Sequence, residues 1–209
     1  MMKTVSEIIS VVLILVLSLG LVSTALMYGY PMIRKTQDRV KLERVLALFV
    51  PEAPNSLVKK LEYISNFGGS ETISLDVDGI WEVRTYSENS IYANSISFSF
   101  FSRATNVRSN QLISLTPGES CPPIAGLVGG NSPFVVCVSG TPLFDGFNIT
   151  YFIFARNLTS ENFVYSVKLV SKSTITRSTL KMIRIARESL DTVQEGDKKV
   201  IIVTLRVEV

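Results

Sequence analysis

Residues 8–27 read IISVVLILVLSLGLVSTALM, and the reading of this stretch decides the fold. It contains no charge and no proline. The uncharged run continues to Ile33, so Glu7 and Arg34 bracket twenty-six residues. At about 1.5 Å rise per residue, a helix of about twenty residues crosses the roughly 30 Å hydrocarbon core of a bilayer. A helix is the natural solution in lipid because it satisfies its own backbone hydrogen bonds. The alternative, a buried core helix, would have to be apolar around its whole circumference and unusually long. Everything after residue 50 is patterned differently. The chain therefore reads as α+β: a long N-terminal hydrophobic helix followed by an antiparallel, sandwich-like β-rich head. About 160 residues beyond the helix are enough for one domain with its own core.

On its N-terminal side the run is preceded by MMKTVSE, which is short and weakly basic for a secretory n-region. The apolar segment exceeds an ordinary h-region of about 7–15 residues, and no A-x-A-like site follows it. Lys3-Thr4-Val5-Ser6-Glu7-Ile8-Ile9, running into a long apolar helix, resembles the N-terminus of archaeal type IV pilin-like proteins. The resemblance implies a class III signal peptide cut by a prepilin peptidase. Lys3 would be the basic position, Thr4 the residue before the cut, Val5 the first mature residue and Glu7 the polar residue near the new terminus. Thr4 departs from the usual Gly, Ala or Ser. An uncleaved signal anchor is the alternative. Glu7 lies in the first turn, where the partial positive charge of a helix terminus favours an anion. In a filament of such subunits it would meet the free amine of a neighbour; otherwise it is a solvated residue at headgroup level.

The resemblance divides the chain into a leader (1–4), a transmembrane or filament-core helix (5–30), an amphipathic extension (31–50) and an extracellular head (51–209). Tyr28 and Tyr30 suit the aromatic belt at a membrane interface. Gly29 and Pro31 predict a kink or break there. Beyond them Ile33, Val40, Val45, Leu46 and Phe49 recur at helical spacing among charged residues, a stripe expected to pack on the head or on a neighbouring subunit. One feature opposes an outward head. Arg34, Lys35, Arg39, Lys41 and Arg44 follow the span, and the positive-inside rule read literally would place that side in the cytoplasm.

Within the head, Leu57, Leu61 and Ile64 predict a short helix after a proline-bounded break, ended by Gly68-Gly69. Residues 72–77 alternate, meet Asp78-Gly79 and continue as 80–84, which predicts a hairpin. Ser90 to Phe101 alternates serine with isoleucine and phenylalanine, as a strand with one buried face would. Residues 102–133 read as a long surface loop. Strands are expected at 134–138, 147–156 and 163–170. Residues 173–187 are ambiguous, with threonine and isoleucine favouring strand. A final strand, 199–209, follows a turn at Glu195-Gly196-Asp197. Six to nine short strands fit a sandwich or a strongly twisted sheet.

Cys121 and Cys137, the two cysteines, are expected to form one disulfide; two free buried thiols are the alternative. Asn148-Ile-Thr150 and Asn157-Leu-Thr159 are N-glycosylation sequons, and with the cysteine pair they favour an outside location.

The chain has no histidine, which removes the commonest general base and the commonest metal ligand. A net charge of +3, dispersed and without interleaved aromatics, sets nucleic acid aside. Ser56-x-x-Lys59 and Ser178-x-x-Lys181 match S-x-x-K without its companion motifs. Asp76, Asp78 and Glu82 would suit calcium, but the turn explains Asp78-Gly79. Catalytic, cofactor and metal residues are therefore expected to be none, and no small-molecule substrate is implied. The expected partners are membrane lipid, prepilin peptidase and identical or homologous pilin subunits. Three classes stand open: a structural or adhesive pilin-like subunit of a cell-surface filament, a permanently anchored binding or stator-like envelope protein, and a membrane-tethered enzyme. The expected location is the cell membrane, single-pass with an extracytoplasmic head, and the surface filament once assembled.

Overall fold

A computed structural model of the chain describes residues 2–86, 92–104 and 110–209, with side chains from residue 9 onward. Helix α1 spans Met2–Phe49 and α2 spans Leu57–Phe67. Among the described residues twelve strands follow: β1 (Ser70–Ser74), β2 (Ile80–Arg84), β3 (Ser95–Ser102), β4 (Ile113–Ser114), β5 (Gly126–Leu127) and β6 (Phe134–Leu143). The rest are β7 (Gly146–Ala155), β8 (Leu158–Thr159), β9 (Phe163–Val170), β10 (Ile175–Ser178), β11 (Met182–Glu195) and β12 (Lys198–Glu208). They form two six-stranded sheets, ordered β1-β11-β12-β9-β8-β5 and β10-β2-β3-β7-β6-β4. The α+β layout, helix then β-rich head, is as the sequence predicts. Pairing is mostly antiparallel, but β12 runs parallel to β9 and β5 parallel to β8.

α1 corrects one expectation. No break interrupts it at Gly29–Pro31; the helix passes through Pro31 unbroken to Phe49. Proline removes one donor and crowds one turn, and long helical segments on both sides hold the geometry across that single defect.

A second correction concerns residues 72–84. They do not form a hairpin: β1 pairs with β11 in one sheet, and β2 pairs with β3 and β10 in the other. Leu75 and Val77, between them, are buried as the chain crosses from sheet to sheet. Gly79 is there for space rather than for a turn. A Cβ on it would sit 2.3 Å from the Phe98 ring and 2.7 Å from the Ser99 carbonyl oxygen.

Alternation in the other strands does set the core. Trp81 and Val83, Ile96, Phe98 and Phe100, and Ile149, Tyr151 and Ile153 face inward from one sheet. Ile183 and Ile185, Val203, Leu205 and Val207, and Val167 and Leu169 face them from the other. Ser90, with which the sequence reading began the β3 strand, lies outside the described residues. Within residues 173–187 the structure places strand at 175–178, as β10, and from 182 onward, as the first part of β11. At Glu195-Gly196-Asp197 the expected turn joins β11 to β12.

α2 closes one side of this core with Leu57, Val58, Leu61 and Ile64. Ser56 caps it: its Oγ accepts from the Lys59 amide at 3.3 Å. At the other end the Gly68 amide donates to the Ile64 carbonyl at 2.9 Å. Arg187 donates to the Ser65 and Asn66 carbonyls at 3.3 and 3.2 Å, which suits the negative end of the helix.

The segment read as a surface loop is partly a cover. Residues 105–109 of it lie outside the described residues. Its later part supplies β4 and β5, and with Leu112 and Cys121 it packs on Val135, Cys137 and Phe154 on the outer face of the second sheet.

Candidate functional site

The candidate functional surface is α1 and its seat on the head. Among the described residues one helix is long and apolar enough to cross a membrane, and its most apolar stretch has no residue buried by the rest of the protein. From Ile9 to Ile33 the large apolar side chains stand exposed. Two hydroxyls in this stretch are satisfied locally: Ser18 donates to the Ile14 carbonyl at 2.7 Å and Thr24 to the Gly20 carbonyl at 2.8 Å. Such back-bonding spares an apolar surrounding these two donors. At the end of the stretch the Arg34 guanidinium lies 4.1 Å from the Tyr30 ring centre and donates to its hydroxyl.

Four residues further on the surroundings change. Asp38 is buried, and its Oδ2 accepts from the Arg103 backbone amide at 3.1 Å. The Arg103 guanidinium approaches the same carboxylate at 3.6 Å and Asp145 at 2.6 Å, and Lys41 reaches Asp38 at 3.6 Å. Val45 and Phe49 are fully buried. Phe49 stacks on Trp81, with ring centres 6.1 Å apart, and meets Tyr151 at 5.1 Å. Burial pushes the Tyr151 phenol up to about 12, so this ring stays neutral. The Trp81 indole nitrogen is buried and has no hydrogen-bond partner among the described residues, a cost carried by the packing around it. Of the expected stripe, Val45, Leu46 and Phe49 pack on the head; Ile33 and Val40 stay exposed on the uncovered side.

The opposite end of the head is locked by polar contacts. Cys121 and Cys137 are disulfide-bonded, with Cα atoms 6.1 Å apart. Beside them Arg156, almost fully buried, donates from both terminal nitrogens to Glu119 at 2.6 Å and from Nε to the Ser132 carbonyl at 3.0 Å. These hydrogen bonds hold the Glu119 carboxyl below its ordinary value of 4.5. Asn131 adds a donor to Glu119 at 2.9 Å.

Asn94 joins the two sheets. Its Nδ2 donates to the Ala155 and Val167 carbonyls at 3.0 and 2.7 Å, and its Oδ1 accepts from the Leu169 amide at 2.8 Å. It adopts φ of +56°, a left-handed conformation that asparagine tolerates. Sequence reasoning missed Asn94, Glu119 and Asp38. The one available signal was Arg156, a charge at the end of an apolar strand.

Other sequence candidates are accounted for locally. Ser56 is a helix cap, and Lys59 donates to the Glu52 carbonyl at 3.1 Å. Ser178 accepts from the Leu180 amide at 3.1 Å, while Lys181 pairs with Asp76 and Asp78 at 2.8 and 3.2 Å. Glu82 faces Arg84 and Arg177 instead, so Asp76, Asp78 and Glu82 do not converge. Asn157 is exposed at the far end of the head. Asn148 is half-buried in β7, and the Thr150 hydroxyl of its sequon lies 2.9 Å from the Ser99 hydroxyl. Lys3, Thr4 and Val5 fall in the first turn of α1, which begins at Met2. Glu7, expected in that first turn, lies one turn further in because the helix extends back through the leader; the side chains of all four lie outside the described residues. The geometry defines a class only: a β head seated on the lower half of a long helix whose upper half is bare and apolar. No protein-family model matches the chain, and no significant match is found among characterised proteins or solved structures.

Proposed function

We propose that this chain is a type IV pilin-like subunit of a cell-surface filament, with a structural or adhesive role. The observation that carries the reading is the division of α1, whose apolar half is bare from Ile9 to Ile33 and whose polar half is built into a disulfide-bonded β head. In this reading the chain first sits in the cell membrane as a single-pass protein with its head outside. A prepilin peptidase cuts between Thr4 and Val5. The cut removes the short leader and leaves the whole apolar rod on the mature chain. Identical or homologous rods then replace lipid as its surroundings and pack closely side by side, with Glu7 near a neighbour's new amine. The heads form the outside, and glycans at Asn157 and Asn148 would face solvent there.

N-terminal sequencing of the protein from native cells tests this. The expected first residue is Val5, and Lys3→Glu blocks processing while Cys121→Ser does not. A mature chain beginning at Met1 or Met2 supports the second reading, a permanently anchored envelope protein. A chain beginning beyond Met27 overturns both.

A further inference from the structure

Phe144 stands fully exposed at the tip of the β6–β7 hairpin, next to exposed Leu143. The turn is closed by the Leu143–Gly146 pair, and a polar residue would serve it as well. A large aromatic at this place therefore calls for an occupant.

Where the tip lies along α1 follows from two fixed points. Phe49 packs on Tyr151, whose strand partner is Phe98 of β3. Earlier on the helix, Asp38 accepts from the amide of Arg103, just past the end of β3. From Phe49 back to Asp38 the helix rises about 16 Å. From Phe98 on to Arg103 an extended chain advances about 16 Å. α1 and β3 therefore lie side by side and run in opposite senses. The hairpin turn lies beyond the Ser102–Phe147 pair, so it points toward the bare half of α1. One helical turn past Asp38, about 5 Å, brings the level of Phe144 to Arg34 and Lys35, where the uncharged run ends. Arg103 fixes the tip there, bonding Asp145 of the turn at 2.6 Å and approaching Asp38 of α1 at 3.6 Å.

We propose that the Leu143–Phe144 tip is a membrane wedge: while α1 spans a bilayer, Phe144 inserts at the boundary of headgroups and acyl chains beside the helix. The inference rests on the membrane-spanning reading of α1. Lipid fits the tip better than a second copy of the chain for two reasons. It is a narrow convex turn, whereas a stable subunit interface needs a broad complementary face. It also lies at the level of Arg34 and Lys35, between Tyr30 on the side of the span and Arg39 on the side of the head, an aromatic and basic band suited to an interface with anionic phosphates. Arg103 acts as a positioning residue, holding the head so that its tip meets the membrane.

The test uses the full chain reconstituted in vesicles of phosphatidylcholine and phosphatidylglycerol, with lipids brominated near the top of the acyl chains. Trp81 is the single native tryptophan and is buried, so the unaltered protein gives the baseline. Phe144→Trp is expected to add emission that these lipids quench, as is Tyr28→Trp at the mouth of the span. Arg103→Gln is expected to lower the quenching at position 144 and leave that at position 28 unchanged. Quenching at 28, with position 144 unquenched and open to aqueous acrylamide, overturns the wedge alone. Quenching at neither position overturns the membrane-spanning reading as well. Shielding of position 144 from acrylamide without lipid quenching, reversed on dilution, assigns the tip to a second copy and overturns the lipid proposal.

Discussion

Between Ile9 and Ile33 the apolar side chains of α1 are exposed, whereas from Asp38 to Phe49 the same helix contributes an ion-paired carboxylate, Val45 and Phe49 to the head. The backbone geometry is continuous across the two regions. The first region is apolar without a preferred face, so its stability as a helix depends on what surrounds it: lipid or other helices. The second is apolar on one face only, and its stability comes from the core it enters. A single helix thus belongs to two environments, and the change occurs within about one turn, between Ile33 and Asp38.

Substitution of matched apolar residues is the strongest way to break this comparison. Phe49→Ala is expected to destabilise the head by about 3–5 kcal/mol, through lost burial and the cavity left against Trp81 and Tyr151. Leu13→Ala is expected to leave the denaturant midpoint of the head unchanged. Equal shifts for the two, measured on the full chain in detergent, would remove the distinction between the halves.

The head should also have its own weak point, independent of the span. Asn94→Ala strands the Leu169 amide and the Ala155 and Val167 carbonyls inside the protein, at a cost of about 2–4 kcal/mol. Asn94→Gly keeps the left-handed backbone accessible and should lose a similar amount. A glycine variant as stable as the parent would show that the backbone conformation, not the side-chain bonds, matters there. Replacing both Cys121 and Cys137 by serine is expected to cost about 3 kcal/mol, since the bond closes a loop of 16 residues in the unfolded chain. Circular dichroism should show the helical signal of residues 9–33 in detergent unaffected by either change.

Acid sharpens the contrast with the smallest effect. Arg156 holds the Glu119 carboxyl below 4.5 in the folded protein. The pair therefore contributes fully above the ordinary value, and its contribution is lost as pH falls through the lowered one, on the order of 1 kcal/mol in all. Glu119→Gln should flatten this part of the acid limb of head stability. The run from Ile8 to Ile33 carries no carboxylate, so its residence in detergent or lipid should not respond over the same pH window.

By itself the sequence determined the long apolar helix, the β-rich head, the inward faces of the strands and the cysteines able to pair. Each is written in local composition, spacing or number: an uncharged run of bilayer length, a period of two, and just two thiols in the chain. Partners across the fold are not local, and only the tertiary structure decided them. Residues 72–84 read as a hairpin because alternation specifies a strand but not its neighbour. The core drew Leu75 and Val77 inward and sent β1 and β2 to different sheets. Asp38, Asn94 and Glu119 look like ordinary surface residues in the sequence. They become structural because Arg103, the Val167 and Leu169 backbone and Arg156 arrive beside them from distant parts of the chain, and burial makes each of those meetings count. Phe144 is the converse: apolar in sequence, it stays bare because the fold carries it to a turn that none of the described residues covers.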